Sequence, residues 1–331
     1  YNAAEQVYAS TSTTWRALDC DNDSIDNGDE VDPDGNGTEG PDGTNPLDND
    51  TDDDGFLDGD DDCPNVPGIA PNGCPANLSC VMPDLKILLE GPVVQNGNTG
   101  IMSTEYNEYG YLPGQKPTTF FGHETPAGQP YNVTPWNYNG IEGSSFVYTP
   151  GQPSTYKAGY PINTTDWVLV SLRTDQDKAS TVCTRAALLL NDGTVQMVSG
   201  NDCCDIDINQ TYYVVVEHYN HLLVMSPTKL PVIEGKILFD FTTTQSFLGL
   251  IGFGQKILNG KYVMHAANGQ QANSTNADTD INVADQIFWL NDNGVNSGYY
   301  RNDYDANGDV NVIDKVLWNI NNGKFSDVPR N

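Results

Sequence analysis

The acidic residues between Asp50 and Asp61 have the spacing of a calcium-binding loop. Positions 1, 3, 5, 6, 9 and 12 are Asp50, Asp52, Asp54, Gly55, Asp58 and Asp61, and Phe56 at position 7 would offer its carbonyl oxygen. Ca²⁺ takes about six to eight hard oxygen ligands, and glycine at position 6 permits the sharp turn. We therefore predict a calcium site here. Position 12 is Asp rather than the usual Glu, so the sequence leaves open whether both of its carboxylate oxygens bind the ion.

Two further acidic segments precede this loop and fit the pattern less closely. The first has Asp19, Asp21, Asp23 and Glu30 at positions 1, 3, 5 and 12, and Asp32, Asp34, Asn36, Asp42 and Asn45 would form an interleaved set. From Asp19 to Asp62 the chain has 19 Asp or Glu residues and no Lys or Arg. Unpaired carboxylates in such number would keep a chain extended. Either calcium neutralises them or the segment is a solvated acidic linker, and the alternating aspartates favour calcium.

A second group of loops lies near the C-terminus, where residues 276–294 and 305–323 repeat at an offset of 29. In the second copy, positions 1, 3, 5, 6, 7, 9 and 12 are Asp303, Asp305, Asn307, Gly308, Asp309, Asn311 and Asp314. The first copy keeps Asn276, Asp278, Asp280, Asn282 and Asp285, but has Ser274 at position 1 and Thr279 in place of glycine. We predict a strong calcium site in the second copy and a weaker one in the first. A metal-free helical pair capped by Asp and Asn is the alternative.

Each copy would consist of a ligand loop followed by a short helix. Trp289 and Trp318 each follow the closing aspartate by four residues, so both helices carry an aromatic side chain at the same position. A repeat of this length is one supersecondary unit used twice.

The central part of the chain has the pattern of a β-protein. Short β-branched and aromatic runs at 85–90, 167–173, 186–198 and 212–218 alternate with Gly, Pro and Asn clusters, which predicts a two-sheet β-sandwich. Asp192-Gly193 is a hairpin signal that brings Cys183 almost opposite Cys203. A disulfide from Cys183 to Cys203, or to Cys204, is then sterically possible.

Composition narrows the class of partner. The formal net charge of −30 argues against nucleic acid and anionic membrane surfaces and favours divalent cations. The sequence has no apolar run of about 18 residues, so we expect no membrane insertion. Seven cysteines suit an oxidising extracellular compartment, and their odd number leaves at least one thiol free or paired between chains.

We expect four parts in these 331 residues: a strand-like N-terminal arm (1–18), the acidic loops (19–76), the β-sandwich (81–250) and the two-loop calcium module (255–327). The fold class is mainly β, with a small α module at the end. The chain begins at Tyr1 without Met, so we expect a processed product or a fragment.

Residues 19–75 resemble thrombospondin type 3 repeats. The segment from Cys63 to Cys74 is similar to the one that closes such repeats in bacterial linkers, and the resemblance implies a disulfide between these two cysteines. It also implies loops in which metal replaces a hydrophobic core. The C-terminal repeat resembles the dockerin family, which implies two calcium loop–helix units and a cohesin-like partner. Residues 81–331 further resemble a C-terminal region of large secreted Bacteroidota proteins, through 89–92, 135–138, 166–170 and 218–221.

The sequence offers little evidence for catalysis. His218 and His221 would point to opposite faces of a continuous strand, so we do not expect them to share a zinc ion. A pair of hydrolase carboxylates remains an alternative, although most acids lie in the calcium loops. Aromatic residues between Tyr106 and Tyr138 either stack sugars or pack loops on the sandwich. Asn-x-Ser/Thr sequons, for example at Asn132 and Asn163, allow glycosylation.

These patterns favour a non-enzymatic structural subunit of an extracellular fibre or adhesive appendage. Calcium, in several sites, would make it rigid, and copies of itself would be its partners. The alternative is a dockerin-anchored carbohydrate-binding module, whose partners would be a cohesin-like protein and surface glycans.

Overall fold

The computed structural model describes residues 15–31, 43–61, 63–65, 77–115, 119–120, 123–124, 127–147, 159–198, 203–271 and 278–330, and the single residues Gly68 and Gly73. The chain divides into two compact units, residues 1–77 and 78–331. The predicted sandwich and the predicted C-terminal module both lie in the second unit. Most of the predicted N-terminal arm lies outside the described residues.

The described part of the first unit contains little regular structure. It has a short helix α1 (Asn27–Val31) and a 3₁₀ turn (Asp58–Asp60). None of its described Val, Ile, Leu, Met, Phe, Tyr or Trp side chains is buried, whereas Asp23, Asn27 and Glu30 are. Polar groups therefore occupy the interior, where a globular domain would have apolar ones.

The second unit is built mainly from strands. In chain order they are β1 (Leu78–Lys86), β2 (Thr119–Phe120), β3 (His123–Glu124), β4 (Thr164–Arg173), β5 (Thr181–Leu190), β6 (Val195–Met197), β7 (Cys204–Asp207), β8 (Thr211–His218), β9 (His221–Met225), β10 (Leu230–Pro231), β11 (Lys236–Asp240), β12 (Gln255–Leu258) and β13 (Lys261–Met264). One sheet has the order β10-β8-β4-β5-β6, with β9 paired to β8, and a second has the order β11-β1-β7. Two-stranded sheets join β12 to β13 and β2 to β3.

The two larger sheets face each other across one apolar core. Val168, Val170 and Leu172 point from β4 into this core, together with Leu85 of β1 and Ile237 of β11. This alternation is what a strand buried on one face by a second sheet requires. The prediction of a mainly β fold with a two-sheet body is confirmed.

The other face of β4 is covered by aromatic loops. Trp167 and Leu169 lie there, against Tyr106, Tyr131 and Tyr160. The Tyr131 hydroxyl donates to the Trp167 carbonyl at 2.9 Å, and Trp167 Nε1 donates to the Tyr160 hydroxyl at 2.8 Å. Tyr106 and Tyr131 are fully buried, so these two members of the aromatic region pack loops onto the sheet.

The other helices are α2 (Glu90–Gln95), α3 (Glu105–Tyr109), α4 (Val283–Asp292) and α5 (Val312–Asn321). None of the helices in the described ranges combines the length and apolar character needed to cross a bilayer. The last two begin with the same capping box, Asn282 with Asp285 and Asn311 with Asp314. In each, the Asn side chain accepts a backbone N–H of the first turn and the Asp side chain accepts the N–H of the cap residue, which starts the helix.

The two C-terminal copies are joined by reciprocal contacts. Trp289 Nε1 donates to the Asn311 carbonyl at 2.9 Å, and Trp318 Nε1 donates to the Asn282 carbonyl at 2.8 Å. Each tryptophan thus holds the N-cap of the other helix, which explains the repeated aromatic position.

This helical pair is fixed to the β-body by buried polar groups. Glu90 accepts from Asn321 Nδ2 at 2.6 Å and from the Ala266 backbone N–H at 3.0 Å. Gly91 lies so close to the Tyr304 carbonyl that a Cβ atom would be 1.6 Å from its oxygen. The pair and the body therefore share one interior.

Two disulfides link β7 and its preceding residue to neighbouring strands. Cys183 pairs with Cys204, and Cys203 pairs with Cys80. A Cys183–Cys203 bridge, the first of the two predicted alternatives, is therefore wrong, and the second is the one formed. The reason is that successive residues point to opposite faces: Cys204 faces the core with Cys183. Cys63 is disulfide-bonded, and its predicted partner Cys74 lies outside the described residues.

Replacing Cys183 and Cys204 together by serine should lower the free energy of unfolding by about 3 kcal/mol, because the bridge spans a sequence separation of 21. Cys20→Ser, at an exposed free thiol, is the control and should leave the denaturant midpoint nearly unchanged. Equal midpoints for all three proteins in urea unfolding would contradict this assignment.

Candidate metal centres

The second C-terminal copy brings three carboxylates together in the interior. Asp303, Asp305 and Asp314 are fully buried, and one oxygen from each lies within 4.8 Å of the others. They stand at positions 1, 3 and 12 of the predicted loop. Carboxylates so close cannot all remain ionised in a poorly solvated site unless a cation lies between them.

Backbone N–H groups hold these carboxylates in place. Asp303 Oδ2 accepts from the Gly308 N–H at 2.6 Å, and Asp314 Oδ1 accepts from the Tyr304 N–H at 2.6 Å. Gly308 has a φ of +93°, which glycine adopts without a steric cost. Since Asp314 is also the capping-box residue of α5, the start of the helix and the last ligand position are fixed together.

The carboxylates fit a hard divalent cation. Asp305 Oδ1 is buried and has no hydrogen-bond partner among the described residues. Burial and the charge of Asp314 raise the pKa of Asp303, and burial raises the pKa of Asp305 to about 6. The raised pKa values show that negative charge on these carboxylates is unfavourable without a cation. Asp303, Asp305 and Asp314 would hold calcium through their oxygens, as the predicted loop requires.

The remaining predicted ligands of this loop lie around the group. Asn307 Nδ2 donates to Asp305 Oδ2 at 3.0 Å, and Asn307 Oδ1 accepts from the Asp309 N–H at 2.8 Å. The Asp309 carboxylate accepts from the Ser297 N–H at 3.1 Å. Asp309 therefore uses its side chain to hold the neighbouring loop.

The first C-terminal copy is less complete. Asp285 accepts from the Asn282 and Gln270 N–H groups at 2.7 and 2.9 Å, and Asp278 Oδ1 accepts from the Asp280 N–H at 3.3 Å. Among the described residues, these aspartates do not bring three ligand oxygens within 4.8 Å of one another. The predicted ligand Asn276 lies outside the described residues. A weaker site in this copy stays a prediction.

In the acidic unit, the structure brings together the first three acidic positions of two predicted loops. Asp19, Asp21 and Asp23 form one group, and Asp50, Asp52 and Asp54 form another. Asp50 also accepts from the Asp54 and Gly55 N–H groups at 3.0 and 2.9 Å. The period-two spacing predicted both groups.

A third group joins residues from both loops. Asp23, Glu30 and Asp58 are buried with one oxygen each within 4.8 Å of the others. Asp58 is predicted to act with Asp50, Asp52 and Asp54. Its carboxylate accepts from the Thr51 N–H and hydroxyl of that loop at 2.8 and 2.7 Å, and also meets Asp23 and Glu30 of the first loop. Gly59 lies directly against the Asp23 carbonyl, where a Cβ atom would be 2.2 Å from the oxygen, so the 3₁₀ turn is held at the first loop. The sequence gives no signal for this pairing of distant segments.

Two further predicted ligands of the loop 50–61, Asp61 and Phe56, make local contacts. Asp61 Oδ1 accepts from the Cys63 N–H at 2.7 Å, and the Phe56 N–H donates to Asp54 Oδ1 at 2.9 Å. Of the interleaved set, Asp32, Asp34, Asn36 and Asp42 lie outside the described residues, and Asn45 is exposed.

His218 and His221 are not on one continuous strand, so the expectation that they point apart is wrong. They flank the two-residue turn between β8 and β9, and their Nδ1 atoms are 3.1 Å apart. His218 Nε2 lies 3.1 Å from Asp166 Oδ2. Burial and the neighbouring His218 lower the pKa of His221 well below its ordinary value. The described residues here place no three His, Cys, Asp or Glu ligand atoms within 4.8 Å of one another.

No protein-family model and no curated protein matches this chain. Two solved structures match part of it. Both are mutants, at the N-terminal or C-terminal interface, of a type II cohesin–X–dockerin complex from Acetivibrio cellulolyticus. Each is 16% identical and covers 48% of this chain and 82% of the matched chain, with TM-scores of 0.29 and 0.30. A likeness of this degree adds nothing to the assignment of function.

Asp314→Asn should weaken calcium binding at the second C-terminal loop by about tenfold or more, because one charged ligand is lost from a buried group. Asp309→Asn should have little effect, since its carboxylate lies outside the group. Calcium titration calorimetry on chelator-stripped protein measures both. Equal losses of affinity in the two variants would contradict the ligand assignment.

The calcium-free protein should lose stability as the pH rises. Burial is the main cause that raises the pKa of Glu30 and of Asp278 to about 7 and that of Asp285 to about 6. The folded state then binds more protons than the unfolded chain, so the free energy of unfolding falls between about pH 4 and 7. With chelator, the Tm at pH 8 should lie several degrees below that at pH 5. Saturating calcium should abolish this difference. A Tm that does not fall between pH 5 and pH 8 in the presence of chelator would contradict the account.

Proposed function

We propose that this protein is a non-enzymatic, calcium-stabilised structural subunit of an extracellular fibre or adhesive appendage. The observation that carries the proposal is the burial of Asp303, Asp305 and Asp314 together. A cation at this point would fix the start of α5 and, through the reciprocal tryptophan contacts, the position of α4. The same cation would thereby give the chain a rigid helical surface.

The helical pair presents apolar side chains to solvent. Val283, Ile287 and Leu290 lie one turn apart on α4, with 64%, 54% and 57% of their surface exposed. On α5, Val312, Val316 and Ile320 are also exposed and four residues apart. Exposed apolar side chains spaced along one helix face are typical of protein interaction surfaces. They support a protein partner, for which we propose a further copy of this chain.

Two features support a place outside the cell. The structure contains the disulfides Cys80–Cys203 and Cys183–Cys204, and such bonds persist in oxidising compartments. The predicted calcium loops suit the millimolar calcium found there. The clustered carboxylates lie in these loops, where a bound cation would occupy the oxygens that acid–base catalysis needs.

Electron microscopy of the purified chain tests the assembly. Calcium should yield polymers, and chelator should return them to single particles, because the helical surface depends on the metal. Ile287→Glu together with Val316→Glu should prevent polymers while circular dichroism stays unchanged, since both side chains are exposed. Glu108→Gln, on the short helix α3, is a surface control. Single particles in saturating calcium would overturn the proposed self-assembly, and a cohesin-like partner would then be the alternative to test.

A further inference from the structure

We propose that two adjoining cavities, one on the outer face of the six-stranded sheet and one within the loop segment 127–144, bind a neutral oligosaccharide of at least two sugar rings. The site lies in the β-body, and none of the predicted calcium ligands lines it. The proposed sugar site therefore goes beyond the structural role, and it can be tested independently of that role.

The first cavity has a volume of about 230 Å³ and lies between the segment 136–139 and strands β4 and β5. Trp136 and Tyr138 form its aromatic wall, and Ser171 and Thr184 contribute hydroxyl groups from the strands.

The second cavity, of about 260 Å³, is lined by Gln129, Asn132 and Glu142 among others. Tyr138 and Asn139 line both cavities, so these two residues separate one space from the next. Each cavity is smaller than the roughly 300–1,000 Å³ typical of ligand sites, whereas the two together reach that range. A ligand with two linked rings would use both.

The aromatic wall is rigid before any ligand arrives. The Trp136 ring meets Tyr131 edge-on at a centroid distance of 5.3 Å, and the Arg330 guanidinium lies 5.5 Å from its centroid. The Tyr138 hydroxyl donates to Glu142 Oε1, and the same hydroxyl lies 3.1 Å from the Thr184 carbonyl oxygen. Fixed aromatic rings provide a flat surface for the C–H face of a sugar and lose little entropy on binding.

The polar groups suit hydroxyls rather than a charged ligand. Ser171 Oγ and Thr184 Oγ1 lie 3.1 Å apart, and either can donate or accept. The Asn139 side chain is exposed and makes no hydrogen bond to another described residue. Glu142 lines the second cavity, is 7% exposed, and its Oε2 has no partner among the described residues.

The buried charges at the first cavity are only partly engaged within the protein: Arg173 Nε has no hydrogen-bond partner among the described residues, and the exposed Lys178 also lines the cavity. Arg173 Nη1 donates to the carbonyls of Gln176 and Pro329 at 2.9 and 2.7 Å. Glu217 forms an ion pair with Arg330 at 3.1 Å. An anionic ligand that spans both cavities would meet the unpartnered carboxylate oxygen of Glu142 in the second one, which is why we assign a neutral sugar.

Calorimetry with the calcium-saturated full chain tests this site. The probes are di- to tetrasaccharides of glucose, mannose, xylose and N-acetylglucosamine, their monosaccharides, and oligogalacturonate. At least one neutral oligosaccharide should bind, and its monosaccharide should bind at least tenfold more weakly. Asn139→Trp should reduce the affinity at least tenfold, because the indole would fill the boundary between both cavities.

Asn296→Trp, at an exposed asparagine after α4, is the matched control and should bind as the native chain does. The proposal is overturned if no probe binds at millimolar concentration, or if only oligogalacturonate binds. Equal affinity of the native chain and Asn139→Trp would also overturn it. None of these results depends on whether the chain forms polymers.

Discussion

The structure depends on neutralising the repulsion between carboxylates that lie close together without a basic residue nearby. Between Arg16 and Lys86 the chain has no Lys or Arg, yet Asp23, Glu30 and Asp58 meet in the interior of the first unit. Two like charges about 4 Å apart repel by about 4 kcal/mol even at an effective dielectric constant of 20. Protons or a divalent cation must offset this repulsion, and near neutral pH calcium is the better candidate, because it can bind several carboxylates at once.

The same constraint reaches the β-body through the second C-terminal loop. The Asp303 carbonyl accepts from Asn220 Nδ2 at 2.8 Å, and Asn220 lies in the turn between His218 and His221. Asp166 accepts from the Tyr299 and Tyr219 hydroxyls, which ties β4, this turn and the chain before the loop together. A cation in the loop would therefore stabilise a hydrogen-bonded interior and not just its own ligands. The predicted metal module is part of the body, as the shared core of the second unit requires.

The sequence predicted local features well. Alternating aspartates predicted the groups at Asp19 and Asp50, and the 29-residue repeat predicted α4, α5 and the tryptophan that each helix carries. These features depend on residues a few positions apart, whose geometry is set by loop and helix periods. The two-sheet body followed from strand periodicity in the same way.

Contacts between distant segments were not predictable in this way. The choice of Cys204 over Cys203, the meeting of Asp58 with Asp23, and the turn that joins His218 to His221 all depend on tertiary packing. A single sequence carries no periodicity for such contacts. The first cavity beside Tyr138 was missed for the same reason, since its walls come from loop and strand residues about 30 or more positions apart. The second is lined by residues 127–144 alone, and this irregular loop has no periodicity from which a cavity could be predicted.

The most direct test of the central claim is a count of bound calcium by native mass spectrometry, before and after exhaustive chelation. The carboxylate groups predict at least three ions per chain in the native protein, one in the loop 303–314 and two or more in the acidic unit. Chelation should remove them and broaden the charge-state distribution, as expected for partial unfolding. A metal-free native chain with an unchanged distribution would contradict the account.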